Sequence, residues 1–500
     1  MRKIPSTMAT QHPDNAGKPY WYHRPFIGNL AEIKESYLCF SDLGIDEYNW
    51  DWEGKFVDEA VVDRLLHQHY KYFRKNPLGK DKFLTFRFPN PRVEKQFRLA
   101  RALMVAITSS QLSRSLGFNI DPIFEAILPL TETAGEIIEI QEAFTSLVGI
   151  EHKLLKLNRF IKYIRIIPLF EAVLTIINSD NIIKEYVSLH KDTFGRKPDY
   201  LRPYIARSDP ALNSGLIPTV LAAKIALNKY KNLENQLEVP LYPMLGTGSL
   251  PFRGGLTPET VDQSISEYAG IKTLIIQSAF RYDFEKQQVI KAIKSIKKNL
   301  HDKKVAPLSR QEMNKLISLL PSITTPYRSV IEKIAPLVNI ISSFVARRRE
   351  RMLHIGLFGY SRGVGKVTLP RAITFTAALY SLGIPPELIG SGRGLNRAIK
   401  TGNFEIIQKS YHFLKSDMLK AGFYLNKNNL QKLKYKFPVL GEIEEDIGYI
   451  EKIFRIELGP QSSAHREHYK LTGRILEKLQ NKKNISPLIT LTGYLRKSLG

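Results

Sequence analysis

Apolar runs alternate with polar, loop-like segments over much of the chain. Between Phe83 and Asp283 an apolar run ends six times on polar residues able to hold an anion or a metal ion, and a helix-like stretch usually follows. These endings are FRFPNP at 86–91, LPLTET at 128–133, PLFE at 168–171, ARSDP at 206–210, GTGSLPFRGG at 246–255 and QSAFRYD at 277–283. Strands alternating with helices predict an α/β fold with a parallel sheet. In a closed β/α barrel the loops after the strands converge on one mouth, so distant residues can share a site.

Composition sets the expected class of protein. The 500 residues are 43% hydrophobic, enough for a large core, and no linker divides them, so we expect one domain over 1–500. Barrel strands are expected mainly within about 80–395, with a helical part at 401–500. The lone Cys39 excludes an internal disulfide and is consistent with a reducing compartment. No stretch resembles a signal peptide or reaches the roughly 18 apolar residues of a membrane span, so we expect a soluble cytoplasmic protein without a membrane partner.

The chain is strongly basic. It has 73 Lys and Arg against 48 Asp and Glu, a formal charge of +25 that attracts anions. The lysines are scattered and lack the regular aromatic interleaving of a single-strand binding surface, which favours solvated helix faces. The densest basic run, at 346–351, could bind nucleic acid or form a helix end. We favour a helix end and expect no nucleic-acid partner.

Two glycine-rich stretches resemble nucleotide-binding motifs but fail them. A phosphate-binding loop at 359–367 would need Gly at 360 and Ser or Thr at 367, where Tyr360 and Val367 stand. A dinucleotide-binding fingerprint starting at Gly246 would need glycine at position 251, which is Pro251. We therefore reject both nucleotide interpretations.

Two carboxylates follow predicted strands. Glu171 closes an apolar run, and Asp209 follows another, so each is expected at the barrel mouth. Oxygen ligands from two strand ends could hold a divalent cation, with water and substrate at the remaining positions. Asp209 precedes Pro210 and could equally cap a helix or turn. Glu132 has a similar setting and stays open as a third ligand.

Arginines and one histidine complete the candidate site. Guanidinium groups pair bidentately with phosphate and carboxylate, so several at one mouth would suit a small, densely anionic substrate. The candidates are Arg87, Arg253, Arg281, Arg362 and Arg371. Gly254 and Gly255 would let backbone amides approach that substrate. His12 lies in a turn-like TQHPDN segment. Each arginine could instead be an ordinary surface or salt-bridged residue, and His12 a structural one.

Five segments together carry a resemblance. They are TQHPDN at 10–15, IPLFE at 167–171, ARSDPALNSG at 206–215, GTGSLPFRGG at 246–255 and LHIGLFGYSRGVGKVTLPRAITFTAALYSLGIPPELIG at 353–390. The chain resembles phosphoenolpyruvate carboxylases of the short, archaeal type. The resemblance implies a TIM-type (β/α)8 barrel with many additional helices, usually as a homotetramer. It also implies irreversible carboxylation of phosphoenolpyruvate by bicarbonate with Mg²⁺ or Mn²⁺, through carboxyphosphate and a metal-stabilised pyruvate enolate. The products would be phosphate and oxaloacetate, a C4 acid for the tricarboxylic acid cycle.

The resemblance also implies roles for matching residues. Glu171 and Asp209 would bind the metal, and His12 would lie beside the reacting groups. Arg362 and Arg371 resemble arginines that hold substrate and the carboxylation intermediate, and Arg253 lies in a stretch that resembles a mobile catalytic loop. The expected catalytic residues are therefore His12, Arg253, Arg362 and Arg371. Substrate binding is expected from Arg87, Arg281, Gly254 and Gly255. For Arg87 the expectation rests only on a strand-end arginine in a similar order.

The chain departs from the longer carboxylases at positions that bear on bicarbonate handling, and two rival functions are kept beside the carboxylase. Leu245 and Thr247 stand where those enzymes have an additional histidine and arginine, and Leu212 replaces a lysine. One rival is another Mg²⁺-dependent barrel enzyme, such as a mutase or an aldolase, which would act without bicarbonate. The other is a basic nucleic-acid-binding protein, which would show steeply salt-dependent binding and no chemistry.

Overall fold

Eight parallel strands close into a barrel. The computed structural model describes residues 3–53, 55, 57–150, 157, 161–350, 362–364 and 367–500, with 362–364 described by backbone alone. Each strand pairs with the next, and the last returns to the first through Met8 opposite Ile275. The barrel strands are β1 Thr7–Thr10, β2 Glu47–Asp51, β3 Phe83–Arg87, β4 Glu125–Leu128, β5 Arg165–Phe170, β6 Tyr204–Ile205, β7 Met244–Leu245 and β8 Thr273–Ile276. The predicted α/β barrel is confirmed.

Helices surround the barrel and continue far beyond its last strand. Those up to the long helix after β8 are α1 Asn29–Ser41, α2 Val61–Gln68, α3 Tyr70–Lys75, α4 Gln96–Ser115, α5 Ala134–Val148, α6 Val173–Phe194, α7 Ser208–Ser214, α8 Leu216–Leu237, α9 Val261–Glu267, α10 Ser278–Tyr282, α11 Lys286–Asn299 and α12 Arg310–Ser342. An antiparallel pair follows, β9 Arg362–Val364 and β10 Val367–Leu369. The remaining helices are α13 Ala372–Ser381, α14 Ser391–Lys400, α15 Phe404–Ser410, α16 Leu414–Gly422, α17 Lys427–Lys434, α18 Gly441–Phe454, α19 Ser463–Gln480 and α20 Ser486–Arg496. Residues 401–500 contain helices α15 to α20.

The barrel interior is apolar in its middle and ionic at its amino-terminal end. Because side chains alternate along a strand, one set points inward and packs in layers. The inward set forms a cluster separate from the main core, made of Met8, Ile127, Ile167, Leu169, Tyr204, Ala206, Met244 and Ile275. Toward the amino-terminal end, the buried Arg202 donates to Glu47 at 2.6 Å and to Glu125 at 2.8 Å. Each of these buried charges therefore has a partner.

All six polar endings lie at the carboxyl ends of barrel strands, β3 to β8. The strands β1 and β2, which lie before residue 80, were not predicted, and the last barrel strand ends at Ile276. All five residues of β2 are buried although its sequence, EYNWD, is largely polar. Ion pairs of Glu47 and Asp51 inside the protein explain that burial.

In the basic run at 346–351, Arg348 and Arg349 are buried, whereas Arg347 and Glu350 are exposed. The run does not form a helix end, so that prediction is wrong. Helix α12 already ends at Ser342. Arg349 is buried and pairs with Glu35 at 2.6 Å, while Arg348 donates to the backbone oxygen of Ala16 at 2.7 Å. These two arginines bind other parts of the same chain. Their guanidinium groups are therefore not presented on a surface for nucleic acid.

No helix in the described ranges has both the length and the apolar character that crossing a lipid bilayer requires.

Candidate active site

The two predicted metal ligands line the same cavity. Glu171 follows β5 directly and is 7% exposed, and Asp209 lies in the first turn of α7, just after β6. Both border a cavity of about 780 Å³ at the carboxyl ends of the strands. Residues of α12, among them Leu320 and Thr324, form its opposite wall. Carboxylates from adjacent strands therefore reach one solvent-accessible space, as the barrel geometry requires.

A strained turn after β4 orients Glu171. Leu130 has a positive φ of 53°, which is uncommon for a residue with a branched side chain. Its backbone N–H donates to Oε2 of Glu171 at 2.8 Å. The turn is also held by Thr131, whose hydroxyl donates to the Leu128 oxygen at 2.9 Å. Such conformations persist only where surrounding contacts enforce them, and here they fix a candidate ligand.

The donor set fits a magnesium-like ion held by few protein ligands. Mg²⁺ keeps several waters and needs only one or two carboxylates, which Glu171 and Asp209 supply. Glu132 also borders the cavity, but its carboxylate pairs with Arg92. Over the described ranges no group of three His, Cys, Asp or Glu side chains is arranged to hold a metal. A cation here would therefore rely on water or substrate for most of its ligands.

Two predicted arginines are joined by a carboxylate that the sequence analysis missed. Arg87, at the end of β3, pairs bidentately with Asp51 at 2.9 and 2.7 Å. Its Nη2 also lies 2.5 Å from Oε2 of Glu53. The other oxygen of Glu53 accepts from Nη2 of Arg371 at 3.1 Å. Glu53 thus links the end of β3 to the segment before α13.

Arg253 is buried and held from several directions. It ends the short 3-10 helix Pro251–Arg253 after β7 and is 1% exposed. Its guanidinium donates to Ser208 at 3.1 Å and to Gln277 at 2.6 Å, and it pairs with Asp14 at 3.3 Å. The Gly500 oxygen accepts a further hydrogen bond at 2.5 Å. The guanidinium therefore bonds to the loops after β1, β6 and β8 and to the end of the described chain.

The loop that carries Arg253 has its own supports. The Phe252 N–H donates to the carboxyl of Glu387 at 2.9 Å, and the Tyr380 hydroxyl donates to the same oxygen at 2.7 Å. Burial raises the pKa of Glu387 to about 7. The Gly254 and Gly255 amides donate to carbonyls within the loop, both at 3.0 Å. In this conformation those two amides form hydrogen bonds within the turn.

His12 lies just past β1, beside a densely bonded segment. Its Nδ1 is 2.8 Å from the Thr10 hydroxyl. Downstream, Asp283 accepts from the Ala16 and Gly17 amides at 2.7 and 2.6 Å, and burial raises its pKa to about 7. These bonds hold residues 16–17, just after the TQHPDN segment, against the end of α10.

Arg281 is fully buried in an ion cluster. It pairs with Glu35 at 3.0 Å and donates to the Thr10 oxygen at 2.9 Å. Burial alone would raise the pKa of Glu35, but the guanidinium groups of Arg349 and Arg281 outweigh it and lower the pKa to about 2. Arg281 therefore lies behind the His12 segment, without exposure to solvent.

The structure divides the predicted residues into separate groups. Glu171 and Asp209 share the cavity, whereas the described arginines of the prediction do not border it: Arg87, Arg253, Arg281 and Arg371. The cavity instead contains Arg92 and Arg328. Arg92 directly follows the FRFPNP ending, so its position was readable from the sequence; Arg328 lies in α12, where no motif marks it. The side chain of Arg362 lies outside the described residues.

The positions that depart from the longer carboxylases are buried. Leu212 and Leu245 have no solvent exposure, and Thr247 is 1% exposed. The Thr247 hydroxyl donates to the Ile275 oxygen at 2.8 Å. In this structure these side chains pack within the protein.

The fold and site define a β/α-barrel protein with acidic side chains at the carboxyl ends of adjacent strands, where barrel enzymes have their active sites. A family model described as phosphoenolpyruvate carboxylase matches residues 4–500. The chain belongs to the phosphoenolpyruvate carboxylase family.

Individual relatives match at least 90% of this chain. A protein of Metallosphaera sedula named phosphoenolpyruvate carboxylase is 39% identical over 520 residues, covering 100% of both chains. Relatives with the same name occur in Leuconostoc mesenteroides and in Methanothermobacter thermautotrophicus. The first is 37% identical over 503 residues, covering 100% of this chain and 99% of the relative. The second is 38% identical over 465 residues, covering 90% and 93%.

Proposed function

We propose that this protein carboxylates phosphoenolpyruvate with bicarbonate to give oxaloacetate and phosphate. The observation that carries the proposal is the shared cavity of Glu171 and Asp209. The names of its relatives support the same reaction. Arg87 and Arg371, joined through Glu53, are the proposed contacts for the substrate's anionic groups.

In the proposed reaction, bicarbonate attacks the phosphorus of phosphoenolpyruvate and the bond to the enol oxygen breaks. Carboxyphosphate and the enolate of pyruvate result. Carboxyphosphate then divides into carbon dioxide and phosphate, and the enolate carbon attacks carbon dioxide. No covalent bond to the protein is needed, so the side chains act by binding, orienting and moving protons.

Each group has an assigned task. Arg371 and Arg87 hold the substrate, and the buried Arg253 keeps the loops around the reacting groups together. His12 accepts and returns a proton during carboxyphosphate decomposition, and we assign this to Nε2 because Nδ1 contacts Thr10. Glu171 and Asp209 would hold Mg²⁺ or Mn²⁺, which supplies positive charge for the developing enolate. Arg362 is assigned to substrate by the resemblance of its GYSRG segment.

The proposal extends to assembly and to the cell. The family resemblance supports a homotetramer in the cytoplasm, one domain per chain, and a supply of C4 acid to the tricarboxylic acid cycle. Sedimentation equilibrium of the purified protein tests the tetramer directly, because a monomer would give the mass of one chain, 57.2 kDa.

The decisive experiment measures oxaloacetate. Phosphoenolpyruvate and Mg²⁺ are supplied with bicarbonate or with bicarbonate removed, and added malate dehydrogenase reports oxaloacetate by consuming NADH. Turnover that depends on bicarbonate supports the carboxylase. A folded, metal-loaded sample that makes no oxaloacetate would overturn it, and turnover of phosphoenolpyruvate without bicarbonate would point to the mutase or aldolase chemistry.

A further inference from the structure

Glu53 contacts two arginines that the proposed function assigns to substrate. It lies two residues past β2, is 1% exposed and uses one carboxylate oxygen for each arginine. Arg371 keeps 35% of its side chain exposed, whereas Arg87 keeps 6%. Arg371 can therefore meet a ligand while Glu53 holds its guanidinium from behind.

The turn that carries Glu53 is held by its surroundings. The Glu53 N–H donates to Asp51 at 3.0 Å, and the Trp52 oxygen accepts from the buried Arg98 at 2.9 Å. The Trp52 N–H donates to the Arg87 oxygen at 3.2 Å. A carboxylate on such a support can define where a guanidinium lies, since its own position is restrained.

Charge alone does not explain the arrangement. Asp51, Glu53, Arg87 and Arg371 carry two negative and two positive charges, so these four side chains add no net field for an anion. What they offer is fixed placement, because Nε and Nη2 of Arg87 are already bonded to Asp51 and Glu53, and Arg371 is the guanidinium that keeps exposure toward a ligand. Phosphoenolpyruvate carries a phosphate and a carboxylate, and one of these groups can bind Arg371 at that fixed position.

We propose that Glu53 is a positioning residue that holds Arg371 against Arg87 for a substrate with two anionic groups. This inference rests on the proposed function for the identity of the substrate. The inference also predicts the direction in which anion binding changes, and that direction distinguishes a positioning role from a purely electrostatic one. Replacing Glu53 by Gln makes the site one unit more positive, which by charge alone would tighten anion binding, whereas loss of positioning weakens it.

The test is binding of phosphoglycolate, a stable anion with a phosphate and a carboxylate, measured by calorimetry. Glu53→Gln is expected to weaken binding about tenfold or more. In an Arg371→Ala background the same change should have little further effect, because Glu53 acts through Arg371. Glu53→Asp keeps the charge but shortens the side chain, so it should also weaken binding. This variant replaces Glu53→Gln in the test if Glu53→Gln does not fold.

The matched control is Glu125→Gln. It also removes a carboxylate bonded to a buried arginine, but at the amino-terminal end of the barrel. Binding by this variant should stay within about twofold of the wild type, since the charge change is the same but distant. Unchanged or tighter binding by Glu53→Gln would overturn the inference. The proposed function is tested separately by the oxaloacetate assay of the wild type. Phosphoglycolate binding requires no turnover, so the two experiments can fail independently.

Discussion

The Asp14 carboxylate lies 3.3 Å from Nη1 of Arg253, and both side chains are buried. They are 239 residues apart in the chain, so the pair ties the segment after β1 to the loop after β7. The other oxygen of Asp14 accepts from the Ala279 amide at 2.7 Å. The backbone oxygen of Asp14 accepts from the Leu499 amide at 2.7 Å. Asp14 therefore contacts three other segments at the barrel mouth.

Removing that contact should destabilise the protein. Asp14→Asn leaves a buried arginine without its carboxylate, and we expect the free energy of unfolding to fall by about 3 kcal/mol. Urea unfolding measures the change. The control is Asp58→Asn, since the pair of Asp58 with Arg64 is partly exposed and should contribute less than about 1 kcal/mol. Equal losses in the two variants would contradict the importance of burial.

Asp209→Asn and Arg371→Ala should each abolish turnover. One removes a proposed cation ligand and the other a proposed substrate contact, so we expect kcat/KM to fall by about a hundredfold or more. Thermal unfolding should change little, because both side chains are partly exposed. Asp199→Asn, which changes an exposed carboxylate near the start of β5, should retain activity. Full activity in either site variant would refute its assigned role.

Glu387 should make stability fall as pH rises. Its folded-state pKa of about 7 lies above the ordinary glutamate value of 4.5, so folding favours the neutral acid. The contribution is complete below the unfolded-state pKa and is lost as pH rises through about 7. Between about pH 4 and about pH 8 the loss is about 3 kcal/mol, from 1.36 kcal/mol per pKa unit.

Glu387→Gln should remove this loss, because Gln has no proton to release and its oxygen can still accept from Phe252 and Tyr380. Chemical unfolding at both pH values, compared with wild type, gives the difference directly. Glu405→Gln changes an exposed carboxylate and should follow the wild-type pH dependence. A Glu387→Gln variant with the same pH dependence as wild type would show that this carboxyl is not the source.

Gly254→Ala should impair the Arg253 loop. Gly254 has a φ of 128°, and an added Cβ would lie 3.0 Å from the Cα of Thr247. We expect a loss of about 1 to 3 kcal/mol in stability and a lower kcat, since Gly254 ends the 3-10 helix that carries the preceding residue, Arg253. Gly448→Ala is the matched control, because nothing lies within 4 Å of the added carbon in helix α18. Wild-type stability and kcat in Gly254→Ala would show that the loop tolerates another conformation.

The order of strands was predictable where apolar runs met polar loops. The endings of β3 to β8 were all identified because these strands bury mainly apolar side chains against the core. β1 and β2 were missed for a physical reason. In β2, Glu47 and Asp51 are buried through partners distant in sequence, Arg202 and Arg87, and no local pattern reveals such pairs.

The candidate site was predictable in part. Strand-end carboxylates such as Glu171 and Asp209 can be placed at one mouth by topology alone. Glu53 could not be identified, because its role depends on two arginines brought together only by folding. Burial of Arg281 was equally hidden, since its partner Glu35 lies 246 residues away.

The pairing of β1 with β8 has a consequence for synthesis on the ribosome. Met8 is among the first barrel residues made, yet its partner Ile275 emerges some 270 residues later, near the end of the barrel segment. Until then β1 has one free edge, and the nascent barrel stays an open sheet whose unpaired backbone groups can associate with other chains. Barrel closure therefore waits for the last strand, and the segment carrying His12 and Asp14 meets its partners from the loops after β7 and β8 only late in translation.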